Sequence, residues 1–160
     1  MKKALLIIDI QEAYLAHRRA DQDYRRVMET INAAAAQFRQ ANLPVFVVRD
    51  LSEGSGNEFR NVRELQAAPT DLEVLKVYNN AFWKTELDDM LRERNVDWVL
   101  LCGNAAEFCV TATYFGALEN GYAAYLLKDG ILAETETGLA SLEQVRPLLT
   151  NEQLSGMLAE

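Results

Sequence analysis

The chain has 160 residues, of which 24 are acidic and 16 basic, so its formal net charge is −8. Hydrophobic residues make up 49% and charged residues 25%, which is ordinary for a folded protein, and we expect one domain over residues 1–160. The acidic balance argues against a nucleic-acid partner, and no apolar run approaches the ~20 residues that span a bilayer. The apolar start at residues 4–8 is too short for a signal peptide, so we expect a cytoplasmic protein with reduced cysteines.

Short apolar runs alternate with helical patterns along the chain. Buried strands are predicted at residues 4–8, 45–48, 72–77, 98–102 and 123–127. Helices are predicted at residues 21–41, 85–94, 106–119 and 138–144, and after Thr150. Residues 51–70 have little periodicity, which predicts a long loop with one helical turn near 62–66.

The C-terminal part has weaker signals. A sixth strand is predicted near 145–149, and Pro147 would confine it to an edge of the sheet. Residues 85–88 and 150–153 each have the pattern of a capping box, which would open a helix.

Strand–helix–strand repetition predicts right-handed crossovers and a parallel sheet in a three-layer α/β/α architecture. In such folds a ligand binds at the carboxyl ends of the strands. The predicted strand ends carry Asp9, Arg49 and Asp50, Lys76, and a turn at residues 103–109.

Cys109 is the best candidate for a nucleophile. It lies near the start of a predicted helix, where the free N–H groups stabilise a thiolate and could hold an oxyanion. The alternative is a small buried hydrophobic residue, which is common for a free cysteine.

Asp9 and Lys76 each interrupt an apolar run. Asp9 is either a catalytic carboxylate or a group that caps a helix or fixes a loop. Lys76 either reaches into a site or extends its stem to solvent. Together with Cys109 they would supply a base, a cation and a nucleophile.

At this point the sequence resembles the isochorismatase-like cysteine hydrolase family. The resemblance rests on three segments in order, Leu-Ile-Ile-Asp-Ile-Gln at 6–11, Lys-Val-Tyr-Asn-Asn-Ala-Phe at 76–82, and Gly-Asn-Ala-Ala-Glu-Phe-Cys-Val at 103–110. It implies a doubly wound parallel sheet of about six strands, for which we expect the order 3-2-1-4-5-6.

The resemblance also implies a catalytic triad. Asp9 takes the thiol proton, Lys76 favours the charged pair, and Cys109 attacks an amide carbonyl to form a thioester that water hydrolyses. The bond before Ala105 would be cis, with the backbone N–H groups of Ala105 and Cys109 forming an oxyanion hole.

Two departures from the family pattern are informative. Metal-binding members have histidines after the Arg-Asp pair of strand two, and none follows Asp50 here, so we predict no metal and no cofactor. Glu107 adds a negative charge beside the nucleophile, which we expect to raise the pKa of that thiol.

The leading hypothesis is therefore a metal-independent cysteine amidohydrolase acting on a small amide-like substrate. Gln11, Phe82 and Phe108 are the predicted substrate contacts, although such aromatic residues more often fill a core. The alternatives are a thiol-redox role for Cys109 and a non-catalytic binding protein of the same fold. The expected partner is a small-molecule substrate, and we expect neither a nucleic acid nor a membrane as a partner. Because members of the family it resembles are commonly oligomeric, a homo-oligomer is possible.

Overall fold

The computed structural model describes residues 1–144 and 146–159. Six strands form one parallel sheet in the order β3-β2-β1-β4-β5-β6, which confirms the predicted fold class and strand order. The strands are β1 (Lys2–Ile8), β2 (Val45–Asp50), β3 (Leu72–Lys76), β4 (Val96–Asn104), β5 (Ala123–Leu132) and β6 (Leu148–Leu149).

Helices cover both faces of this sheet. They are α1 (Glu12–Leu15), α2 (Gln22–Gln40), α3 (Leu87–Glu93), α4 (Thr111–Glu119), α5 (Glu136–Gln144) and α6 (Asn151–Leu158). One apolar core lies between the sheet and α2 with α6, and the other lies between the sheet and α3, α4 and α5. Within the described ranges, no helix combines the length and the apolar composition that a membrane crossing requires.

Two local predictions were wrong. The helical turn in the 51–70 loop lies at Asn57–Phe59 rather than near 62–66. The capping box at 85–88 does not form, because the Thr85 hydroxyl donates to the Ala81 carbonyl and accepts from the backbone N–H of Leu87. The side chain of Asp88 instead accepts from the Tyr122 hydroxyl at 2.7 Å.

The C-terminal predictions fared better. Thr150 and Gln153 form the reciprocal capping box that opens α6. Within the described part of the chain β6 pairs only with β5 and is an edge strand, as Pro147 indicated, although it is shorter than predicted. Val145, the first residue of that predicted strand, lies outside the described residues.

β5 continues past its predicted end at residue 127 and reaches Leu132. Residues 128–130 bulge out of its pairing with β4, and the pairing resumes after them. The pairing of Leu101 with Leu126 is followed by that of Gly103 with Ile131, and the last pair joins Asn104 to Leu132. The sheet therefore supports β4 as far as Asn104, immediately before the turn that carries Cys109.

Gly103 allows β4 to approach β1 closely. Its φ is +117°, and a Cβ there would collide with the backbone carbonyl oxygen of Ile8, its partner in β1. Only glycine adopts this backbone without strain and leaves room for the neighbouring strand. Gly103 therefore fixes the spacing between the ends of β1 and β4.

We expect Gly103→Ala to lower the free energy of unfolding by about 2–5 kcal/mol, because it combines a strained positive φ with a backbone collision. Urea unfolding followed by circular dichroism measures the change. Gly121→Ala is the matched control, since Gly121 also has a positive φ, of +91°, but no atom of the described residues lies within 4 Å of the added Cβ. Its expected cost is about 1 kcal/mol, and equal costs for the two variants would contradict the close approach at Gly103.

Candidate active site

Four polar residues at the carboxyl ends of neighbouring strands converge on one point. Lys76 ends β3, its register partner Asp50 ends β2, Asp9 follows β1, and Cys109 follows β4. All four are buried, with exposures of 2%, 7%, 3% and 8% respectively. The strand order thus places a lysine, two carboxylates and a thiol side by side in an apolar surround.

The Lys76 ammonium is the centre of this cluster. Its Nζ lies 2.8 Å from Asp50 Oδ2, 3.0 Å from Asp9 Oδ2 and 3.3 Å from Cys109 Sγ. The lysine stem passes Asp50 to reach Asp9, which is how a residue two strands away joins the site. A buried ammonium requires such partners, because an unpaired charge in this surround would be strongly destabilising.

The Cys109 thiol has two further oxygens near it. Asn79 Oδ1 lies 3.6 Å and Asp50 Oδ2 3.9 Å from Sγ. An Asp9 carboxylate oxygen lies within 4.8 Å of the same sulfur. Asp9 Oδ1 has no hydrogen-bond partner among the described residues, although it is buried.

Gln11 holds this region together rather than facing the cavity beside Cys109. Its amide Nε2 donates to the backbone carbonyls of Asp50 and Phe59, and its Oε1 accepts from the Asp50 N–H. The side chain is fully buried, and these three hydrogen bonds use both its amide nitrogen and its amide oxygen. Gln11 therefore positions Asp50 and the loop after β2.

Cys109 lies in a π-helical turn, Ala106–Val110, that leads directly into α4. The Ala105 carbonyl accepts from the N–H groups of both Phe108 and Val110. The peptide bond between Asn104 and Ala105 is cis. Such single π turns interrupt helices often at functional sites.

The protonation states follow from burial and from the charges in contact. Burial raises the pKa of Asp9 to about 6, although Lys76 opposes the shift. Burial and the nearby Asp9 carboxylate raise the pKa of Cys109 to about 12. The expectation that the start of a helix lowers this pKa was therefore wrong, because desolvation and a like charge outweigh it.

The other two charged groups are stabilised in their ionised forms. Burial disfavours the Lys76 ammonium, but Asp9 and Asp50 more than compensate and raise its pKa above the ordinary value. Burial also opposes ionisation of Asp50, but hydrogen bonds from Lys76 and Ser52 lower its pKa. At neutral pH the cluster thus holds two carboxylates, one ammonium and a neutral thiol.

Glu107 does not act on the thiol as expected. Its carboxylate accepts hydrogen bonds from the backbone N–H groups of Glu134 and Thr135 and from the Thr135 hydroxyl. Burial opposes ionisation, but these bonds lower the pKa of Glu107. The carboxylate that raises the Cys109 pKa is Asp9.

A cavity of about 220 Å³ opens onto the cluster. Its lining residues are Asp9, Tyr14, Asp50, Ser52, Glu53, Asn79, Asn104, Ala105, Phe108, Cys109 and Glu134. Phe108 is 48% exposed and lines this cavity, whereas Phe82 packs in the core, with its ring stacked on Tyr122. A larger cavity of about 680 Å³ lies at the amino ends of β1, β2 and β3, away from Cys109.

The cluster does not suit a metal ion. Asp9, Asp50 and Cys109 bring three potential ligand atoms within 4.8 Å of one another, but the Lys76 ammonium contacts an atom of each. A cation would have to displace this ammonium against its charge. His17, the one histidine of the chain, is exposed and does not line the cavity beside Cys109.

Sequence reasoning missed three residues of the site. Asp50 was visible as a polar strand end, but nothing in the sequence paired it with Lys76. Tyr14 lies in α1 and Asn79 lies within the 76–82 motif, but nothing in the sequence placed either side chain beside Cys109.

A doubly wound parallel sheet with a thiol, two carboxylates and an ammonium at its carboxyl edge defines an α/β enzyme with its active site at that edge. Residues 3–153 match the Isochorismatase domain, and the chain belongs to this family. Members of the family are hydrolases and include amidohydrolases.

Individual relatives agree with this assignment. The uncharacterized isochorismatase family protein YddQ of Bacillus subtilis (strain 168) is 28% identical over 144 residues, covering 84% of this chain and 80% of its own length. Streptothricin hydrolase of Streptomyces noursei is 26% identical over 133 residues, covering 79% of this chain and 53% of its own. The structure of N-carbamoylsarcosine amidase from Thermoplasma acidophilum superimposes with a TM-score of 0.84 at 22% identity, covering 95% of this chain and 98% of that one. At this identity the likeness shows a shared fold.

Replacing Asp9 or Lys76 should move the Cys109 pKa in opposite directions. Asp9→Asn removes a charge that raises this pKa, so we expect it to fall, and Lys76→Met removes a charge that lowers it, so we expect it to rise. The measurement is the rate of Cys109 alkylation by iodoacetamide against pH, followed by mass spectrometry. Circular dichroism checks that each variant is folded.

In the unmodified protein this rate should climb about tenfold per pH unit through the neutral range, because only the thiolate reacts. A plateau reached below about pH 8 would contradict the neutral thiol. Cys102 serves as an internal reference, since it is fully buried and its Sγ contacts the Leu6 carbonyl.

Proposed function

We propose that this protein is a metal-independent cysteine hydrolase that cleaves the C–N bond of a small amide. The observation that carries the proposal is the buried contact of Lys76 with both Asp9 and Cys109, beneath a cavity of about 220 Å³. This combination supplies a base, a positive charge and a nucleophile within reach of one bound carbonyl. The relationship to ureidoacrylate amidohydrolase RutB of Variovorax paradoxus (strain S110), which is 29% identical over 101 residues, supports an amide substrate.

Asp9 is a better general base than Asp50. Its pKa of about 6 lies close to neutral pH, whereas the pKa of Asp50 is lowered by Lys76 and Ser52. Asp9 Oδ1 also has no hydrogen-bond partner among the described residues, while Asp50 already accepts from Lys76 and Ser52. A free oxygen and a pKa near the working pH are what a general base requires.

The proposed reaction has two halves. Asp9 takes the thiol proton of Cys109, Lys76 stabilises the thiolate, and the sulfur attacks the amide carbonyl to form a tetrahedral intermediate. We propose that the backbone N–H groups of Ala105 and Cys109 hold its oxyanion. Asp9 returns the proton to the leaving amine, and then activates the water that hydrolyses the thioester.

Other parts of the proposal follow from the same residues. The chain acts as one domain in the cytoplasm, where the thiol stays reduced, and it needs no cofactor. Phe108 contacts the substrate, whereas Phe82 and Gln11 support the site from behind. Assembly into a homo-oligomer stays part of the proposal.

Cys109→Ser should lower amide hydrolysis by roughly 10³-fold or more, because the thiolate forms the covalent intermediate. Asp9→Asn should lower it by about 10²–10⁴-fold, the usual contribution of a general base. The measurement is ammonia release from a panel of small amides and ureides. Arg63→Gln is a control, since Arg63 is exposed and does not line the cavity.

Two outcomes would count against this mechanism. Hydrolysis that persists in Cys109→Ser would exclude the thioester intermediate. Hydrolysis that persists in Asp9→Asn would exclude Asp9 as the base and assign that role to Asp50. Trapping the acyl group on Cys109 in an acid-quenched sample, seen as a mass increase, identifies the intermediate directly.

The rate should depend on pH through Asp9. A base acts in its carboxylate form, so kcat/KM should fall about tenfold per pH unit below its pKa of about 6 and level off above it. The Asp50 charge contributes to raising this pKa, so Asp50→Asn should move the midpoint to lower pH. A pH profile that is flat between pH 5 and pH 7 is incompatible with Asp9 as the base.

A further inference from the structure

The mouth of the cavity beside Cys109 is lined by negative charge. Its lining includes four carboxylates, from Asp9, Asp50, Glu53 and Glu134, and none of the described lysines or arginines. Lys76 lies beneath them with no exposed side-chain surface and is already shared by Asp9 and Asp50. The charge at the mouth is therefore left uncompensated.

Glu53 and Glu134 form what we term the acidic rim. Both are exposed, and among the described residues neither side chain has an ion-pair or hydrogen-bond partner. They come from two separate loops, after β2 and after β5. Carboxylates from different segments that line one cavity repel each other unless a cation lies between them.

The chain holds both rim residues in place. Next to Glu53, the Ser52 N–H donates to Asp50 Oδ1 at 2.8 Å, which fixes the turn after β2. The Glu134 N–H donates to the Glu107 carboxylate at 3.0 Å, which fixes the segment after β5. Glu107, which the sequence analysis linked to the thiol, thus positions the rim.

Two further groups in the cavity fit a cation. Tyr14 and Phe108 supply aromatic surface, which attracts positive charge. The negative charges around the cavity also act on the Tyr14 hydroxyl. Burial and the charges of Asp50 and Glu53 raise its pKa to about 12. Asp9, which is 3% exposed, also lines the cavity, and its Oδ1 has no hydrogen-bond partner among the described residues.

We propose that the acidic rim, Glu53 and Glu134, binds a positively charged group, so that the substrate is a small amide carrying an ammonium or similar cation. This inference rests on the proposed hydrolase function for the amide end of the molecule. The rim binds the cation while the carbonyl lies over Cys109. Anionic amides are repelled by the same charges.

The first test compares three amides of similar length: β-alaninamide, which is cationic, butyramide, which is neutral, and succinamate, which is anionic. We expect kcat/KM to fall in that order, with about 10-fold or more between the first and the second. In Glu53→Gln and in Glu134→Gln the ratio of β-alaninamide to butyramide should drop several-fold, mainly through KM. Glu58→Gln and Glu136→Gln are matched controls, because these exposed residues are near the rim in sequence but do not line the cavity.

The second test needs no turnover. Cys109 is labelled with two methanethiosulfonates, one with a trimethylammonium end and one with a sulfonate end, and the thiolate displaces sulfinate to form a disulfide with each. The ratio of cationic to anionic labelling rates should exceed that of 2-mercaptoethanol by about 10–100-fold at low salt. Because the rim is exposed, this excess should shrink as salt is added.

The outcomes separate the two proposals. Equal hydrolysis of cationic and neutral amides, or a labelling ratio equal to that of 2-mercaptoethanol, overturns cation recognition and leaves the hydrolase intact. Cation-selective labelling that Glu53→Gln and Glu134→Gln weaken, without hydrolysis of any amide, supports the rim and removes the proposed hydrolase function. Loss of selectivity in Glu58→Gln or Glu136→Gln would show a general surface effect and also overturn the rim.

Discussion

The buried ammonium of Lys76 is the interaction on which the rest of the site depends. Two carboxylates and a thiol meet among buried residues, and without a cation between them the two carboxylate charges would repel each other. Lys76 contacts all three, at distances of 2.8–3.3 Å. The contact is available only because β3, β2, β1 and β4 follow one another in the sheet, so that the stem of Lys76 passes Asp50 to reach Asp9.

The same contact gives the two carboxylates different roles. Asp50 accepts from both Lys76 and Ser52, which keeps it ionised and orients the ammonium. Asp9 is more deeply buried, and desolvation moves its pKa towards neutral pH, while its Oδ1 has no hydrogen-bond partner among the described residues. Neighbouring acids with separated pKa values can divide the work of holding charge and moving protons. Gln11 supports this arrangement, because its side-chain amide makes two hydrogen bonds to the backbone of Asp50.

Particular residues show how far the sequence could be taken. Asp9 and Lys76 were recognisable because each interrupts an apolar run at the end of a strand, where α/β folds bind ligands, and Cys109 because it lies near the start of the helix after β4. Glu107 and Gln11 lie on the same motifs, yet their side chains bond to backbone groups that are 27 and 39 residues away. A motif indicates which residues are close in sequence to the site, but it does not show which direction a side chain takes. For the same reason Phe82 joins the core while Phe108 reaches the cavity.

The sequence by itself determined the α/β alternation, the parallel sheet and the residue types at the strand ends. Hydrophobic periodicity and the residues that end a strand are local properties, which can be read from neighbouring positions in the chain. Only the tertiary structure decided the protonation states and the charge of the cavity. Burial, rather than the helix start, controls the Cys109 thiol, and desolvation depends on everything packed around a group. The acidic rim likewise exists only once the loops after β2 and β5 meet over one cavity. Composition alone gives the net charge of −8. It does not show that Glu53 and Glu134 line the same cavity as Cys109.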